Sequence, residues 1–235
     1  MPTPRIVPMG GGGFAMEPRN PRLDTWLLSL TGRPHPRVLF IPTASGDSHG
    51  YIRRFHRAFA RLPCTASHLQ LFNRTVTELS TLVLEQDLIY VGGGNTANLL
   101  AIWRLHGLDV VLREAWQQGV VLAGVSAGAI CWFDAGVTDS FGSDLQPLSN
   151  ALGLLPGSFC PHYHGESTRR PAFHRLVAGG QLPPGYAADD GVAILFEGTT
   201  IADVVRSRRT GSAYHLSAEK GRAAEREMPA RLLPR

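Results

Sequence analysis

Short apolar runs alternate along the chain with longer stretches in which apolar residues recur every three or four positions. The runs predict buried strands, and the stretches predict amphipathic helices. The predicted strands are RIVPMG (5–10), RVLFIPTAS (37–45), ASHLQLF (66–72), DLIYVGGGN (87–95) and VVLA (120–123). The predicted helices are PRLDTWLLSLTG (21–32), YIRRFHRAFARL (51–62), NTANLLAIWRLHGL (95–108) and VVLREAWQQG (110–119).

Strands separated by helices of this length predict an α/β fold with three layers, in which helices cover both faces of a mostly parallel sheet. In such a sheet, functional sites lie beyond the carboxyl ends of the strands. Ser126 and the glycines at 10–13 and 92–94 follow predicted strands, so we expect them at one edge of the sheet. After about residue 135 the pattern becomes irregular and predicts loops around a site.

Composition favours a single domain over residues 1–235. The chain has 43% hydrophobic and 18% charged residues, which is typical of a globular protein, and no stretch marks a linker. Basic residues are concentrated at 206–235, and we expect this segment to be a solvated C-terminal tail. Elsewhere they are scattered, and the formal charge is only +4, so a nucleic-acid partner is not expected.

Cysteine usage and hydropathy predict a cytoplasmic protein without a membrane partner. Cys64, Cys131 and Cys160 form no C-x-x-C pair, and their odd number argues against a disulfide framework. The first residues, MPTPRIVPMGGGG, lack a basic segment followed by a long apolar one, so we expect no signal peptide. No run approaches the roughly 18 apolar residues of a membrane-spanning helix.

A serine lies at the junction between the fifth predicted strand and the next helix, within Gly124-Val125-Ser126-Ala127-Gly128. Glycines two residues to either side permit a sharp turn, and in a nucleophile elbow such a turn exposes the serine oxygen. The alternative is a turn of small residues that lets the strand and the helix pack closely. The pentapeptide by itself is compatible with both.

Two glycine-rich segments offer free backbone N–H groups. YVGGGNT (90–96) ends a strand and begins a helix, and its amides suit a developing negative charge, although a purely structural turn is the alternative. The glycines at 10–13 partly match a dinucleotide-binding motif. Because no helix follows them directly and no acid ends the second strand, we expect a loop that lines a cleft, and no cofactor.

A serine nucleophile needs a base, which is normally a histidine held by an acid. His162, His164 and His174 are concentrated in CPHYHGESTRRPAFHRLV, at 160–177. They are also candidate metal ligands, but no cysteine or carboxylate completes a known ligand spacing, so we expect no metal; His174 is expected at the surface of a helix. Four acids compete to hold the base: Asp134, Asp139, Asp189 and Asp190.

Taken together, YVGGGNT, GVSAGA, LGLLPG followed by PHY, and ADDG resemble the peptidase E family of serine peptidases. These are α-aspartyl dipeptidases, with cyanophycinase as a more distant relative. The resemblance runs from the first strand to about residue 205. It implies a class I glutamine-amidotransferase-like α/β fold, in which serine replaces the cysteine of the amidotransferases, and it suggests a homodimer.

Matched to the family residue by residue, Ser126 corresponds to the nucleophile and His162 to the general base. Gly94 and Ala127 correspond to the donors of the oxyanion hole. Asp190, before Gly191 in the turn that precedes a late strand, corresponds to the third member of the triad, where peptidase E itself has glutamate. An aspartate has a shorter reach, so the backbone must come closer to the histidine.

The resemblance implies a serine exopeptidase that hydrolyses small peptides, first of all dipeptides with N-terminal aspartate, through an acyl-enzyme and without a metal or organic cofactor. Arg169 and Arg170 are both candidates for binding the acidic side chain, because GESTRR is one residue longer than the family's GET-R stretch. Two alternatives stay open. One is a cyanophycinase-like or other peptidase of different specificity, and the other is a homologue that binds a small molecule and hydrolyses nothing.

Overall fold

The computed structural model of the protein describes residues 3–219 and 221–234, which form two β-sheets and eight α-helices. The helices are α1 (Gly13–Met16), α2 (Arg22–Ser29), α3 (His49–Phe59), α4 (Leu79–Leu84), α5 (Thr96–His106), α6 (Leu108–Gln117), α7 (Ala127–Ile130) and α8 (Arg169–Ala178). The strands are β1 (Arg5–Met9), β2 (Arg37–Ile41), β3 (Thr65–His68), β4 (Leu88–Val91), β5 (Val121–Val125), β6 (Phe133–Thr138), β7 (Gln146–Ser149), β8 (Leu155–Cys160), β9 (Gly185–Ala188), β10 (Val192–Glu197), β11 (Thr200–Arg206), β12 (Ala213–Glu219), β13 (Arg222–Met228) and β14 (Arg231–Leu232). Within these residues, no helix is long and apolar enough to cross a bilayer.

The larger sheet brings the predicted site segments to one edge. Its strand order is β14-β11-β10-β1-β5-β4-β2-β3, and the five strands from β1 to β3 in this order are parallel. Strands β4 and β5 are buried along their whole length, as expected for a parallel sheet covered on both faces. Because β1, β5 and β4 are neighbours, the glycines at 10–13, Ser126 and the glycines at 92–94 follow adjacent carboxyl ends.

Helices cover both faces of this sheet, which confirms the predicted three-layer α/β architecture. Successive side chains of β2 point to opposite faces: Val38 and Phe40 belong to the core cluster that includes residues of α1, α2 and α3, whereas Leu39 and Ile41 belong to the cluster that includes residues of α4, α5 and α6. On α3 the buried residues recur every three or four positions: Tyr51, Ile52, Phe55 and Phe59.

The structure differs from the sequence prediction after residue 135. Where the pattern predicts loops, a second sheet forms in the order β13-β12-β9-β8-β6-β7. The predicted solvated tail at 206–235 is wrong, because β12 pairs with both β9 and β13. The buried residues of this hairpin are Ala213, Leu216 and Met228. Since most of its other side chains are polar and partly exposed, the hairpin resembles a solvated segment in sequence.

The second sheet packs against the larger sheet through aromatic side chains. Phe133 and Phe159 stack with ring centroids 5.1 Å apart, and Phe133 contacts Phe196 of β10 with a centroid distance of 5.9 Å. On its other side, α8 contributes Phe173 and Leu176 to a separate core cluster. Because of this packing, the end of β8 and the turn between β9 and β10 lie near the edge of the larger sheet at which Ser126 lies.

Several predicted strands end earlier in the structure than the sequence predicts, among them those at 37–45, 66–72 and 87–95. The run at 37–45 is a strand only as far as Ile41, and Thr43–Ser45 form a 3₁₀ turn after Pro42. Proline has no N–H to continue a sheet, which accounts for this end. The run at 66–72 contributes β3, which ends at His68.

Candidate active site

Ser126 occupies a strained turn between β5 and α7. Its backbone angles are φ 56° and ψ −114°, a conformation that a residue with a side chain rarely adopts. The flanking glycines make the turn possible, because a Cβ atom at Gly124 would lie 1.9 Å from the carbonyl oxygen of Gly128. The N–H of Ser126 donates to the carbonyl of Met9 at 3.2 Å, which ties the turn to β1. This geometry is that of a nucleophile elbow.

The glycine loop at 92–94 lies against this serine. A Cβ atom at Gly93 would lie 3.2 Å from the Cβ of Ser126 and 3.8 Å from its Oγ. The N–H groups of Gly92, Gly93 and Asn95 are hydrogen-bonded, whereas those of Gly94 and Ala127 meet no acceptor among residues 3–219 and 221–234. Two free N–H groups at a strand-to-helix edge are suited to an oxyanion.

His162 follows β8 and is bonded to an acid. Its Nδ1 lies 2.6 Å from Oδ1 of Asp190, and the two side chains are 13% and 18% exposed. The histidine has a positive φ of 54°, and its N–H donates to the carbonyl of Gly10 at 3.1 Å. Gly11 bridges to Asp190, and the N–H of Gly191 donates to the Gly11 carbonyl at 2.9 Å. The first glycine loop therefore holds the histidine and the acid together.

Electrostatics keep the Asp190 carboxyl ionised. Burial opposes its ionisation, but the hydrogen bond from His162 and the charges of His162 and Arg208 outweigh burial and lower the pKa of Asp190 below its usual value. A carboxylate that accepts the Nδ1 proton leaves Nε2 of the imidazole free to accept another proton. The pair thus has the arrangement that a general base and its orienting acid require.

A second histidine–aspartate pair lies beside the first. Nδ1 and the backbone N–H of His164 lie 2.8 Å and 3.1 Å from Oδ1 of Asp189. The other carboxylate oxygen of Asp189 accepts from the N–H of Ser212 at 3.0 Å. Asp189 therefore fastens the segment after His162 to the start of β12. The ADDG motif signals two acids, and only the family resemblance, not their spacing, pairs Asp190 with His162.

The other two candidate acids have structural partners. Asp134 accepts the N–H of Gly157 at 2.8 Å, and Asp139 lies 3.9 Å from Arg169. Neither carboxylate bonds a histidine among the described residues. In the same residues, 3–219 and 221–234, no group of three or more His, Cys, Asp or Glu side chains is arranged to hold a metal ion.

Glu225, which the sequence analysis does not single out, joins several residues near the candidate base. It accepts hydrogen bonds from the hydroxyl of Tyr163, from Nε2 of His174 at 2.8 Å, and from Arg170 at 3.0 and 3.2 Å. His174 is 28% exposed, so it is a half-buried member of this network and not the surface residue that the sequence predicts. The network ties α8 and β13 to the residue that follows His162.

The two candidate arginines have different surroundings. Arg170 faces Glu225 with two hydrogen bonds. Arg169 is buried and donates to Glu166 at 2.7 Å and to the carbonyl of Val137 at 3.1 Å. The segment after Val137 contacts the start of α5, where the hydroxyl of Ser140 accepts from the N–H of Thr96 at 2.9 Å. No described contact joins either arginine to Ser126.

Comparisons of the sequence with known proteins find similarity to peptidases. The sequence model of peptidase family S51 matches residues 6–204. The chain is 52% identical over 231 residues to the uncharacterized peptidase YgaJ of Bacillus subtilis (strain 168), covering 97% of this chain and 99% of that relative. It is 30% identical over 141 residues to peptidase E of Shewanella denitrificans, covering 57% of this chain and 59% of that relative.

Two crystal structures share the fold. A peptidase from an acI-B1 Actinobacterium superposes with a TM-score of 0.71 at 20% identity, covering 97% of this chain and 95% of that one. A candidate peptidase E from Listeria monocytogenes EGD-e superposes with a TM-score of 0.64 at 23% identity, covering 87% and 98%. These likenesses confirm the predicted architecture.

Proposed function

Because the chain belongs to peptidase family S51 and is a serine-type peptidase, we propose that it is an exopeptidase that hydrolyses small peptides through Ser126, His162 and Asp190. The observation that carries the proposal is the 2.6 Å contact between His162 and Asp190, at the sheet edge where Ser126 occupies its strained turn. A serine hydroxyl is a weak nucleophile without a base, and an oriented imidazole supplies one.

In the proposed reaction, Nε2 of His162 takes the proton of the Ser126 hydroxyl as its Oγ attacks the scissile carbonyl. The N–H groups of Gly94 and Ala127 stabilise the negative oxygen of the tetrahedral intermediate. His162 then gives its proton to the leaving amine, which departs and leaves an acyl-enzyme. Water repeats the cycle on the ester, again with His162 as base, and Asp190 holds the imidazole throughout.

The proposed substrates are dipeptides with N-terminal aspartate, and of the two candidate arginines we favour Arg169 as the residue that binds the acidic side chain. A guanidinium grips a carboxylate with two parallel, charge-assisted hydrogen bonds. Arg170 already makes such a pair with Glu225. The carbonyl of Val137 accepts from Arg169, and the segment that follows Val137 contacts the start of α5, just after the glycine loop, through Ser140. The contact of Arg169 with Asp139, at 3.9 Å, is weak.

A dipeptide panel tests this specificity. Wild-type protein should cleave Asp-X far better than Asn-X or Ala-X, because an uncharged side chain forfeits the ion pair; Glu-X and β-Asp-X complete the panel. Arg169→Met should lower kcat/KM for Asp-X by a factor that corresponds to a loss of about 1.5–3 kcal/mol in transition-state stabilisation, the range for a charged hydrogen bond. The matched variant Arg170→Met should retain discrimination, and Ala-X serves as the internal control for correct folding.

Equal turnover of Asp-X and Asn-X would contradict the aspartyl specificity and leave a serine peptidase of another specificity. One observation favours that second candidate. Both arginines already face carboxylates of this chain, Glu166 and Glu225, at 2.7 Å and 3.0 Å. Preferential cleavage of β-Asp-X in the same panel would favour the cyanophycinase-like alternative.

A further inference from the structure

The glycine loop at 92–94 has no side chains of its own with which to hold its shape. Its position therefore depends on hydrogen bonds to its backbone. The N–H of Gly92 donates to the carbonyl of Ile41 at 3.1 Å, and the N–H of Gly93 donates to the phenolic oxygen of Tyr51 at 3.3 Å. Among residues 3–219 and 221–234, Tyr51 is the one side chain that accepts from an N–H of this loop.

Packing fixes that phenolic oxygen from several directions. Tyr51 lies on the buried face of α3 and is 7% exposed. Its ring centroid lies 5.1 Å from that of Phe40 and 5.5 Å from that of Phe14. The ring also lies directly under the loop, because a Cβ atom at Gly92 would lie 2.9 Å from Cε1 of Tyr51. A side chain held in this way has little freedom to follow a moving loop.

Gly93 lies between Tyr51 and the candidate nucleophile. Its N–H faces Tyr51, and its α-carbon side faces Ser126, from which an added Cβ would be separated by only 3.2 Å. Gly94, whose N–H has no acceptor among the described residues, is the next residue. A displacement of Gly93 thus changes the position of the Gly94 N–H relative to the Oγ of Ser126.

We propose that Tyr51 is a positioning residue for peptide hydrolysis: its phenolic oxygen holds Gly93 so that the N–H of Gly94 points at the oxygen of the tetrahedral intermediate. The inference rests on the proposed function of Ser126 and Gly94. Tyr51 itself touches no reacting atom. Its effect is expected in the transition state and not in substrate binding, because the negative oxygen develops only there.

Tyr90 supplies a matched control. Like Tyr51, it is a buried tyrosine whose ring contacts Phe14, with a centroid distance of 5.2 Å. Its hydroxyl has no hydrogen-bond partner among the described residues. Tyr51→Phe and Tyr90→Phe therefore delete the same atom from the same aromatic cluster, but only the first removes an acceptor from the glycine loop.

The experiment compares wild type, Tyr51→Phe and Tyr90→Phe on one dipeptide substrate. For Tyr51→Phe we expect kcat to fall about 10- to 100-fold, or about 1.4–2.7 kcal/mol, with KM within about twofold of wild type. The affinity of a peptide aldehyde, which forms a tetrahedral adduct with a serine nucleophile, should fall by a similar factor. Tyr90→Phe should behave as wild type in all three measurements.

Urea unfolding of each variant separates positioning from simple destabilisation. If Tyr51→Phe keeps the wild-type kcat and aldehyde affinity, or if both variants lose activity equally, the positioning role is overturned. It is also overturned if activity falls only in proportion to the folded fraction. Ser126→Ala is measured alongside: an active Ser126→Ala protein would overturn the proposed function itself, whereas a wild-type-like Tyr51→Phe with inactive Ser126→Ala would overturn only the role of Tyr51.

Discussion

Replacement of Asp190 with asparagine should slow peptide hydrolysis by about four orders of magnitude and leave the fold intact. The side chains have nearly the same shape, so the packing beside Gly11 is preserved. The change lies in the proton on Nδ1 of His162, which the carboxylate accepts at 2.6 Å. An amide NH₂ group in its place donates to Nδ1, so the proton moves to Nε2, and Nε2 can no longer accept the proton of Ser126.

The magnitude follows from two losses at the same contact. The wrong tautomer removes the base in most molecules, and the imidazolium that forms in the transition state loses its neighbouring negative charge. The His162 and Asp190 side chains are only 13% and 18% exposed, so water screens this charge poorly. A 10⁴-fold loss corresponds to about 5 kcal/mol of barrier, which is reasonable for both losses together.

The assay is steady-state hydrolysis of one dipeptide, with circular dichroism to check the fold. Asp189→Asn is the matched control, because it makes the same substitution one residue away in a carboxylate that holds His164. We expect this control to retain activity within about tenfold of wild type, because Asp189 holds the segment after His162 and not His162 itself. A fully active Asp190→Asn together with an inactive Asp189→Asn would refute the reasoning and assign the base to His164.

Three further predictions follow from the same geometry. Ser126→Ala should lose several orders of magnitude in kcat and all labelling by a fluorophosphonate, and labelling of wild type at another residue would contradict the assignment of the nucleophile. His162→Ala should be far less active than His164→Ala, and wild-type activity should fall in acid, because a protonated imidazole accepts no proton. Burial opposes ionisation of Glu225, but hydrogen bonds from its three partners outweigh burial and lower its pKa to about 2. The stabilisation that Glu225 contributes is complete at pH values above its pKa in the unfolded chain, near 4.5, and it is lost as the pH falls through about 2. With allowance for solvent screening, Glu225→Gln should therefore lower the free energy of unfolding, measured in urea at pH 7, by about 2 kcal/mol. The difference between this variant and wild type should disappear in acid, whereas the exposed Glu219→Gln should change the free energy of unfolding little.

The larger sheet was predictable because its central strands carry their signal locally. Strands β4 and β5 are apolar at consecutive positions, and a buried parallel strand requires that pattern whatever its neighbours are. The turn at Ser126 is equally local, since its small residues all lie within five positions. The second sheet was not predictable in this way. The hairpin of β12 and β13 is mostly polar, and its burial depends on contacts with β9 and α8.

The partners of the candidate site residues depend on contacts between residues distant in sequence. Asp189 and Asp190 are adjacent and chemically identical, yet each holds a different histidine more than twenty positions away. Spacing alone did not decide which of the four candidate acids holds the base, and the family resemblance favoured Asp190. Glu225 and Tyr51 carry no motif, because their importance comes from the groups that the fold brings to them.

The bridge between Gly11 and Asp190 has a consequence for the order in which the protein becomes active during synthesis. It joins the end of the first strand to a turn almost 180 residues later, and the Glu225 network adds a contact later still. Contacts of such sequence separation form slowly, since a long loop must close first. The early strands and their helices are able to collapse on the ribosome, but a nascent chain that has not yet exposed β12 and β13 lacks the contacts that hold Tyr163 and Asp189, the neighbours of the His162–Asp190 pair. Peptide hydrolysis should therefore begin only after nearly the whole chain is released.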